Sequence, residues 1–268
     1  MRERGSTEGF RFSRVWVVVG IAVIVGIVGF FVIGVRRARE GSKTKRAENE
    51  IRALVSALNS YESHYGAPPV SDLAKKSVTP LCPDLTFGTV NQAPGGRDPF
   101  LTDKKGVFLF AIANKGNSGY QNSNAEVIGI LLDLVEFGNG SITANVNHAG
   151  NPEHIIFLEA KKVNDSVSPG IGSDGVYRDP WGNPYIITLD LNGDGRCRDA
   201  LYRIQTVSSL RGGATGHHKL RNHVDAGGFS SDFEAEVAIM VWSFGPDGKV
   251  DNNPADRPPN KDNVLSWE

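Results

Sequence analysis

The longest hydrophobic segment of the chain lies near its N-terminus. Residues 15–35 hold no charged residue, and arginines flank the segment on both sides. A helix of this length spans about 31 Å, which matches the thickness of a bilayer core. A secretory signal peptide has a shorter apolar region followed by small residues at a cleavage site, and neither is seen here. The flanking arginines also make a helix buried in a globular core the weaker interpretation. The pattern therefore predicts a retained transmembrane helix over residues 10–35.

The pattern that follows is typical of an amphipathic helix. Apolar residues recur at spacings of three and four and so share one face: Ile51, Leu54, Val55, Leu58, Tyr61 and Tyr65. Gly66 then supplies a C-terminal cap, and Pro68 and Pro69 cannot continue the helix. Residues 36–66 are therefore predicted to extend the N-terminal helix and to pack on a soluble domain.

Helical and strand patterns alternate with loops in the rest of the chain. Residues 67–176 contain one clear helical stripe, formed by Val127, Ile128, Leu131, Leu132 and Val135. The segment "HIIFLEA" within this range suits either a strand or a short helix. Further along, strands are predicted over residues 186–189, 201–207 and 236–244, the last ending at a Gly-Pro-Asp-Gly turn.

The N-terminal region resembles the type IV pilin-like proteins. The resemblance is carried by a short charged leader, the pair Gly9-Phe10, the apolar helix and an amphipathic extension that ends in "ALNSYESHYGAPP". It implies that a prepilin peptidase cleaves between Gly9 and Phe10, removes residues 1–9 as a leader peptide and methylates Phe10. The family normally has a glutamate at the fifth mature position, which is thought to pair with a neighbouring subunit's N-terminal amine. This chain has Arg14 there, and a simple signal-anchor is the alternative.

The C-terminal region resembles the major pseudopilins of type II secretion. The matching segments are "YRDPWGNPYIITLD", "MVWSFGPDGKVDNN" and the terminal "DNVLSWE". In physical terms, Asp179-Pro180 and Asn183-Pro184 set turns, and Trp181 offers a large apolar anchor for a corner of the core. The resemblance implies a pilin-like α+β fold, in which the long N-terminal transmembrane helix continues into a soluble domain with a small antiparallel β-sheet. Residues 177–268 would form its C-terminal β-region, and residues 67–176 an enlarged variable region.

An acidic loop near the C-terminus is the candidate calcium site. It contains Asp247, Asp251, Asp256 and Asp262 among glycine, proline and asparagine, and calcium takes six to eight oxygen ligands. The pseudopilin resemblance makes Asp247 the best-matched ligand of one calcium ion, assisted by backbone carbonyls near Phe244 and Lys249. The second carboxylate could be Asp251 or Asp256. A solvated acidic tail is the alternative.

A second acidic segment, "DLNGDGRCRDAL", is predicted to be a plain connection. It places Asp190, Asn192 and Asp194 at EF-hand positions one, three and five. Position twelve is Leu201 rather than a bidentate glutamate, and no flanking helix pair is evident. A tight turn between the strand ending at Leu189 and the next strand is the favoured interpretation.

The chain carries no recognisable catalytic motif, so we expect it not to be an enzyme. His217, His218 and His223 lie in a glycine-flanked polar segment without zinc spacing and are assigned to a surface loop. The net charge of −1 gives no nucleic-acid footprint. Cys82 and Cys197 could form one disulfide in an oxidising compartment.

The function implied by the resemblance is structural. The protein would be a pseudopilin of a type II secretion or type IV pilus-like filament, which helps protein export across the outer membrane. Its partners would be prepilin peptidase, other pseudopilins in homo- or hetero-filaments, inner-membrane secretion assembly proteins and the lipid bilayer, with no nucleic acid.

The resemblance also implies a location. It is the bacterial inner membrane, crossed once, with the soluble domain in the periplasm; the basic residues after the apolar segment mildly favour the opposite orientation. The leading alternative is a membrane-anchored, calcium-stabilised periplasmic binding protein that does not polymerise, favoured by Arg14 and the insertion of residues 70–175. A membrane-tethered enzyme comes third.

Overall fold

The computed structural model describes residues 14–80, 83–89, 123–210, 214–223 and 232–268. The predicted cleavage site at Gly9 and Phe10, and Cys82, lie outside these ranges, as does the side chain of Arg14. The chain forms two compact units, of which the first ends at Ser42 and the second covers Lys43–Glu268.

The regular elements are four α-helices, eight strands and three short 3₁₀ turns within the described residues. The helices are α1 (Arg14–Tyr65), α2 (Asp72–Ser77), α3 (Ala125–Leu131) and α4 (Gln205–Ser208). The strands are β1 (Asp84–Phe87), β2 (Gly170–Ile171), β3 (Tyr177–Arg178), β4 (Ile186–Asp190), β5 (Arg221–His223), β6 (Asp232–Glu234), β7 (Ile239–Ser243) and β8 (Val264–Leu265). The 3₁₀ turns are Val146–His148, His217–Lys219 and Asn260–Asp262.

The predicted transmembrane helix over residues 10–35 is wrong. Within the ranges that the structure describes, no helix combines the length and the apolar character needed to cross a membrane. The sequence prediction rested on the uncharged length of the segment. The described part of α1 is not both long enough and apolar enough to cross a membrane. This finding also overturns the transmembrane part of the expected fold class. It likewise overturns the expected single-pass inner-membrane location with a periplasmic domain.

The second part of α1 packs on the sheet, and the predicted apolar stripe is confirmed. Ile51, Leu54, Leu58 and Tyr61 are buried together with residues of β1, β4 and β7. The helix ends where expected, since Gly66 has φ +72° and its N–H donates to Glu62 O at 2.8 Å. This stripe supplies the helical layer of the core.

The main sheet is antiparallel throughout, with the strand order β1-β4-β7-β8. Successive residues of β4 and β7 face opposite sides, as the two-residue period of a strand requires. Ile187, Leu189 and Val241 join the core on the α1 side, whereas Ile186, Met240 and Trp242 join a second core with Tyr202 and Trp267. The antiparallel sheet and its strands over 186–189 and 236–244 agree with the sequence, although β7 is shorter than predicted.

The predicted strand over residues 201–207 is wrong. The chain turns at Leu201–Arg203 and then forms α4. The cause is the buried carboxylate of Asp199, whose Oδ1 accepts the backbone N–H of Leu201 at 2.9 Å and of Tyr202 at 3.0 Å. These donors would otherwise be free for a strand ladder, so the aspartate selects a turn.

The described part of the variable region is mostly irregular. The predicted helical stripe corresponds to α3, which is fully buried, but the helix stops before Val135. The buried side chain of Asn124 donates to the carbonyls of Tyr177 at 2.9 Å and Tyr185 at 2.8 Å, which ties the start of α3 to the sheet region. Residues 154–160 form neither the strand nor the short helix expected.

We expect Leu54→Ala to lower the free energy of unfolding by about 2–5 kcal/mol, because it leaves a cavity in the core beneath α1. Leu54 is 0 % exposed, whereas Leu73 on α2 is 63 % exposed and provides a matched control. Urea unfolding should show a change within about 0.5 kcal/mol for Leu73→Ala. Equal effects of the two substitutions would contradict the described packing.

Candidate functional site

The Asp-Pro-Trp-Gly-Asn-Pro segment forms a corner organised by one buried carboxylate. Asp179 Oδ1 accepts the backbone N–H of Trp181 and of Asn183, both at 2.9 Å. Asp179 Oδ2 accepts the hydroxyl of Ser243 at 2.5 Å, and burial raises the pKa of Asp179. The corner interpretation is confirmed, although Trp181 is only half-buried.

The same corner links the acidic loop to α1. Ser243 is the last residue of β7, and the loop begins directly after it. At the other end of the corner, Tyr185 donates its hydroxyl to Glu50 Oε2 at 2.7 Å, and Glu50 also pairs with Arg46 at 2.8 Å. The position of the acidic loop therefore depends on the sheet and on α1.

Two of the four loop aspartates, Asp247 and Asp262, meet across the loop. The backbone N–H of Asp247 donates to Asp262 Oδ2 at 3.3 Å. Burial raises the pKa of both side chains, and the charge of Asp262 raises the pKa of Asp247 further. The backbones of Gly245 and Asp262 also approach each other closely, because a Cβ atom added to Gly245 would lie 2.1 Å from the backbone oxygen of Asp262. The structure therefore brings Asp262 beside Asp247.

Asp251 and Asp256 lie in other surroundings. Asp251 accepts the backbone and side-chain N–H groups of Asn253 at 2.6 and 2.9 Å. Asp256 Oδ1 lies 3.8 Å from His217 Nε2 and 3.8 Å from Arg257 Nε. The charge of Asp251 still raises the pKa of Asp247, so it contributes to the local field.

Asn260 holds the interior of the loop. This buried side chain donates to the carbonyls of Asp251 at 3.0 Å and Asn253 at 2.6 Å, and it accepts the N–H of Asp251 at 3.0 Å. A neutral amide thus occupies the centre, where the sequence suggested converging carboxylates. Nothing in the sequence favours Asp262 over Asp251 as the neighbour of Asp247. The contact between Asp262 and the Asp247 N–H depends on the folded path of the loop.

The Asp190 loop is a self-contained turn, in line with its interpretation. Asp190 Oδ1 accepts the N–H groups of Asn192 at 3.1 Å and Gly193 at 2.7 Å, and Oδ2 accepts that of Gly195 at 2.8 Å. Asp194 accepts from Asn192 Nδ2 and from the Arg196 N–H, both at 2.9 Å. The carboxylates are engaged by their own loop.

Asp84 is a buried acid that the sequence did not reveal. It lies opposite Asp190 in the β1–β4 register, and its Oδ2 accepts the N–H of Arg198 at 2.7 Å. Its Oδ1 is buried without a hydrogen-bond partner among the described residues. Burial, together with the charges of Asp190 and Asp194, raises the pKa of Asp84 to about 7.

The cysteine and histidine candidates do not form a shared site. Cys197 is a buried thiol with no disulfide among the described residues, and burial raises its pKa; its expected partner Cys82 lies outside those residues, so the disulfide stays a prediction. His217 faces Asp256, His218 pairs with Glu268, and His223 Nδ1 lies 3.2 Å from Glu234 Oε2. The three histidines therefore have separate acidic neighbours.

A cluster in the variable region was missed by the sequence analysis. One ligand atom from each of Asp133, His148 and His154 lies within 4.8 Å of the other two. The spacing of the two histidines in "HAGNPEH" was the only signal, and the aspartate lies 15 residues before the first of them.

No protein-family model matches the chain, and neither does any curated protein or solved structure. The resemblance to pilin-like proteins therefore rests on the motifs quoted above.

The raised pKa of Asp84 should make stability fall with rising pH. An unfolded aspartate has a pKa near 3.9, so between about pH 4 and 7 the folded state keeps a proton that the unfolded state has lost. Each unit of the pKa difference corresponds to about 1.4 kcal/mol of unfolding free energy. Wild-type protein should accordingly lose stability relative to Asp84→Asn from pH 4 to 8, as measured by urea unfolding.

Asp194→Asn is the control for this experiment. It removes only one of the neighbouring charges, so most of the pH dependence should remain. Parallel stability profiles of wild type and Asp84→Asn across this pH range would show that Asp84 titrates normally.

Proposed function

We propose that the protein is a non-catalytic structural subunit of a pseudopilin-like filament, and that α1 is its assembling element. The observation that carries this proposal is the exposure of large apolar side chains along the part of α1 in the first unit. They are Val19, Ile21, Val23, Ile24, Ile27, Phe30, Phe31 and Ile33. Exposed apolar patches of this kind mark interaction surfaces.

The distribution of these side chains favours several partners over one. Successive residues of an α-helix are rotated by about 100°, so Ile21 and Phe30 project from opposite sides. Their exposed fractions are 57 % and 82 %. A single groove covers one side of a helix, whereas several copies of the same helix packed side by side cover all sides. The proposed occupant is therefore α1 of further copies of this chain.

The second unit supports a structural function through the use of its buried acids. Asp179 accepts backbone donors that shape a corner, and Asp199 accepts two that shape a turn. The Oδ2 atom of Asp199 also accepts from the Thr188 hydroxyl at 2.7 Å and from Trp242 Nε1 at 3.0 Å. These carboxylates are committed to the fold.

The pseudopilin resemblance supplies the finer part of the proposal. It implies that a prepilin peptidase cleaves between Gly9 and Phe10 and methylates Phe10. It also implies assembly with other pseudopilins in protein secretion. Mass spectrometry of the mature N-terminus tests the processing step independently of assembly, because it requires only the peptidase.

We propose a single calcium ion at the acidic loop, held by Asp247 and Asp262 with backbone carbonyls of the loop. The donor set fits a hard cation, since the Asp262 carboxylate contacts the backbone of Asp247 and its charge raises the pKa of the Asp247 side chain. When bound, calcium would offset their mutual repulsion. Both residues flank the chain that joins β7 to β8, so the ion would fasten the C-terminal strand.

We expect Ile21→Ser and Phe30→Ser each to reduce filament formation by about tenfold or more. Burying such a side chain contributes about 1.5–3 kcal/mol, and about 1.4 kcal/mol corresponds to a factor of ten. The full chain is produced together with prepilin peptidase and secretion assembly proteins, and filaments are counted by electron microscopy and sedimentation. Leu73→Ser, which changes an exposed leucine outside α1, should leave the yield unchanged.

Two results would contradict the filament proposal. One is a chain that remains monomeric with the assembly proteins present, which would favour a calcium-stabilised binding protein that does not polymerise. The other is equal filament yield from wild type and from both α1 variants.

Calcium should raise the melting temperature of the full chain relative to chelator. Stabilisation follows mass action and reaches about 2.7 kcal/mol at a free concentration one hundred times the dissociation constant. Asp247→Ala and Asp262→Asn should each abolish the calcium response. Asp256→Asn and Asp194→Ala should retain it, because these side chains lie near His217 and in the Asp190 loop. An unchanged melting temperature in millimolar calcium would refute the site.

A further inference from the structure

Asp133 joins two histidines that are distant from it in sequence. His148 Nδ1 lies 2.6 Å from Asp133 Oδ1, and His154 Nδ1 lies 2.9 Å from Asp133 Oδ2. The centroids of the two imidazole rings are 4.0 Å apart. Both rings thus turn the same nitrogen toward one carboxylate.

All three residues have left-handed backbone conformations. Their φ angles are 54° for Asp133, 57° for His148 and 59° for His154. This region is uncommon for residues with a side chain, although Asp and His adopt it more often than most. Three such residues that meet in one cluster indicate a local arrangement maintained by the surrounding structure, and such conformations concentrate at ligand sites.

The surrounding hydrogen bonds hold the cluster in position. Asn145 Nδ2 donates to Asp133 Oδ1 at 2.9 Å, and Asn145 Oδ1 accepts the N–H of Gly150 at 3.0 Å. Asn151 accepts the N–H of Ile155 at 3.0 Å and the hydroxyl of Tyr65 at 2.8 Å. The segment that carries both histidines is therefore fastened to the end of α1. Such supporting contacts orient metal ligands in proteins.

We propose that Asp133, His148 and His154 bind a borderline divalent transition-metal cation, with Zn²⁺ as the best match. Two imidazole nitrogens and one carboxylate oxygen form a set that zinc accepts, whereas calcium prefers oxygen ligands alone. Ligand bonds of about 2.0–2.1 Å place the donor atoms of a tetrahedron roughly 3.3 Å apart. The observed separations are 2.6 Å from Oδ1 and 2.9 Å from Oδ2, so they need to open by about 0.7 and 0.4 Å.

The fourth coordination position would face solvent. The side chain of His154 is 58 % exposed and that of His148 is 35 % exposed, whereas that of Asp133 is 12 % exposed. Three protein ligands with an open position leave room for water or for a donor from another molecule. The site is separate from the acidic loop and does not depend on filament assembly.

The competing explanation is a metal-free clasp in which each neutral imidazole donates its Nδ1–H to Asp133. Titration calorimetry of the full chain, purified without a histidine tag, distinguishes the two with ZnCl₂ as probe. CoCl₂ provides an optical signal, because tetrahedral Co²⁺ absorbs visible light. We expect one ion bound per chain and a visible Co²⁺ band that Zn²⁺ displaces.

His154→Gln should weaken zinc binding about a hundredfold or more, because even outer-shell contacts cost about 10- to 100-fold. His64→Gln is the matched control, since His64 pairs with the neighbouring Glu153 at 3.1 Å and is not part of the cluster. Asp247→Ala should also leave zinc binding intact. No saturable Zn²⁺ binding, or equal loss in His154→Gln and His64→Gln, would overturn the proposal in favour of the clasp.

Discussion

The burial of one stripe of α1 against β1, β4 and β7 is the contact on which the second unit depends. Each large aliphatic side chain removed from water contributes about 1.5–3 kcal/mol, and Ile51, Leu54 and Leu58 are all buried there. The described part of the sheet has four strands, and the two cores lie on its opposite faces. Without the helix, one face of this sheet would be uncovered.

Buried aspartates determine how the chain turns around this core, and they differ in how well they are satisfied. Asp179 and Asp199 each accept hydrogen bonds from backbone and side-chain donors. Among the described residues, Asp84 has a single backbone donor and one oxygen without a hydrogen-bond partner. A buried carboxylate is stabilised as an anion only when its hydrogen bonds replace those of water. The first two shape a corner and a turn through these hydrogen bonds, whereas Asp84, whose pKa is raised to about 7, destabilises the fold once it ionises.

The parts of the fold with a regular hydrophobic period could be read from the sequence. The stripe from Ile51 to Tyr61 and the strand at Ile186 follow directly from such periods. The strand expected near Leu201 failed because the local influence of Asp199 overrode strand propensity. The transmembrane prediction failed because uncharged length was its main criterion.

The candidate sites were less accessible to sequence reasoning, because they depend on contacts between distant residues. Asp84 meets Asp190 only through the β1–β4 register, and Asp262 meets the backbone N–H of Asp247 only through the folded path of the loop. The Asp133 cluster requires left-handed backbone conformations at three residues that are not glycine, which a sequence pattern does not reveal.

The edge strands of the main sheet, β1 and β8, limit pairing of this sheet with strands of other molecules. Exposed edge strands invite pairing through their free backbone groups, and proteins limit this by shortening or covering them. Here β8 is two residues long, and all four residues of β1 are buried. In the part of the chain that the structure describes, neither edge offers the long, open ladder that runaway strand addition requires. A protein built in this way is protected against amyloid-like stacking along the described strands of its main sheet.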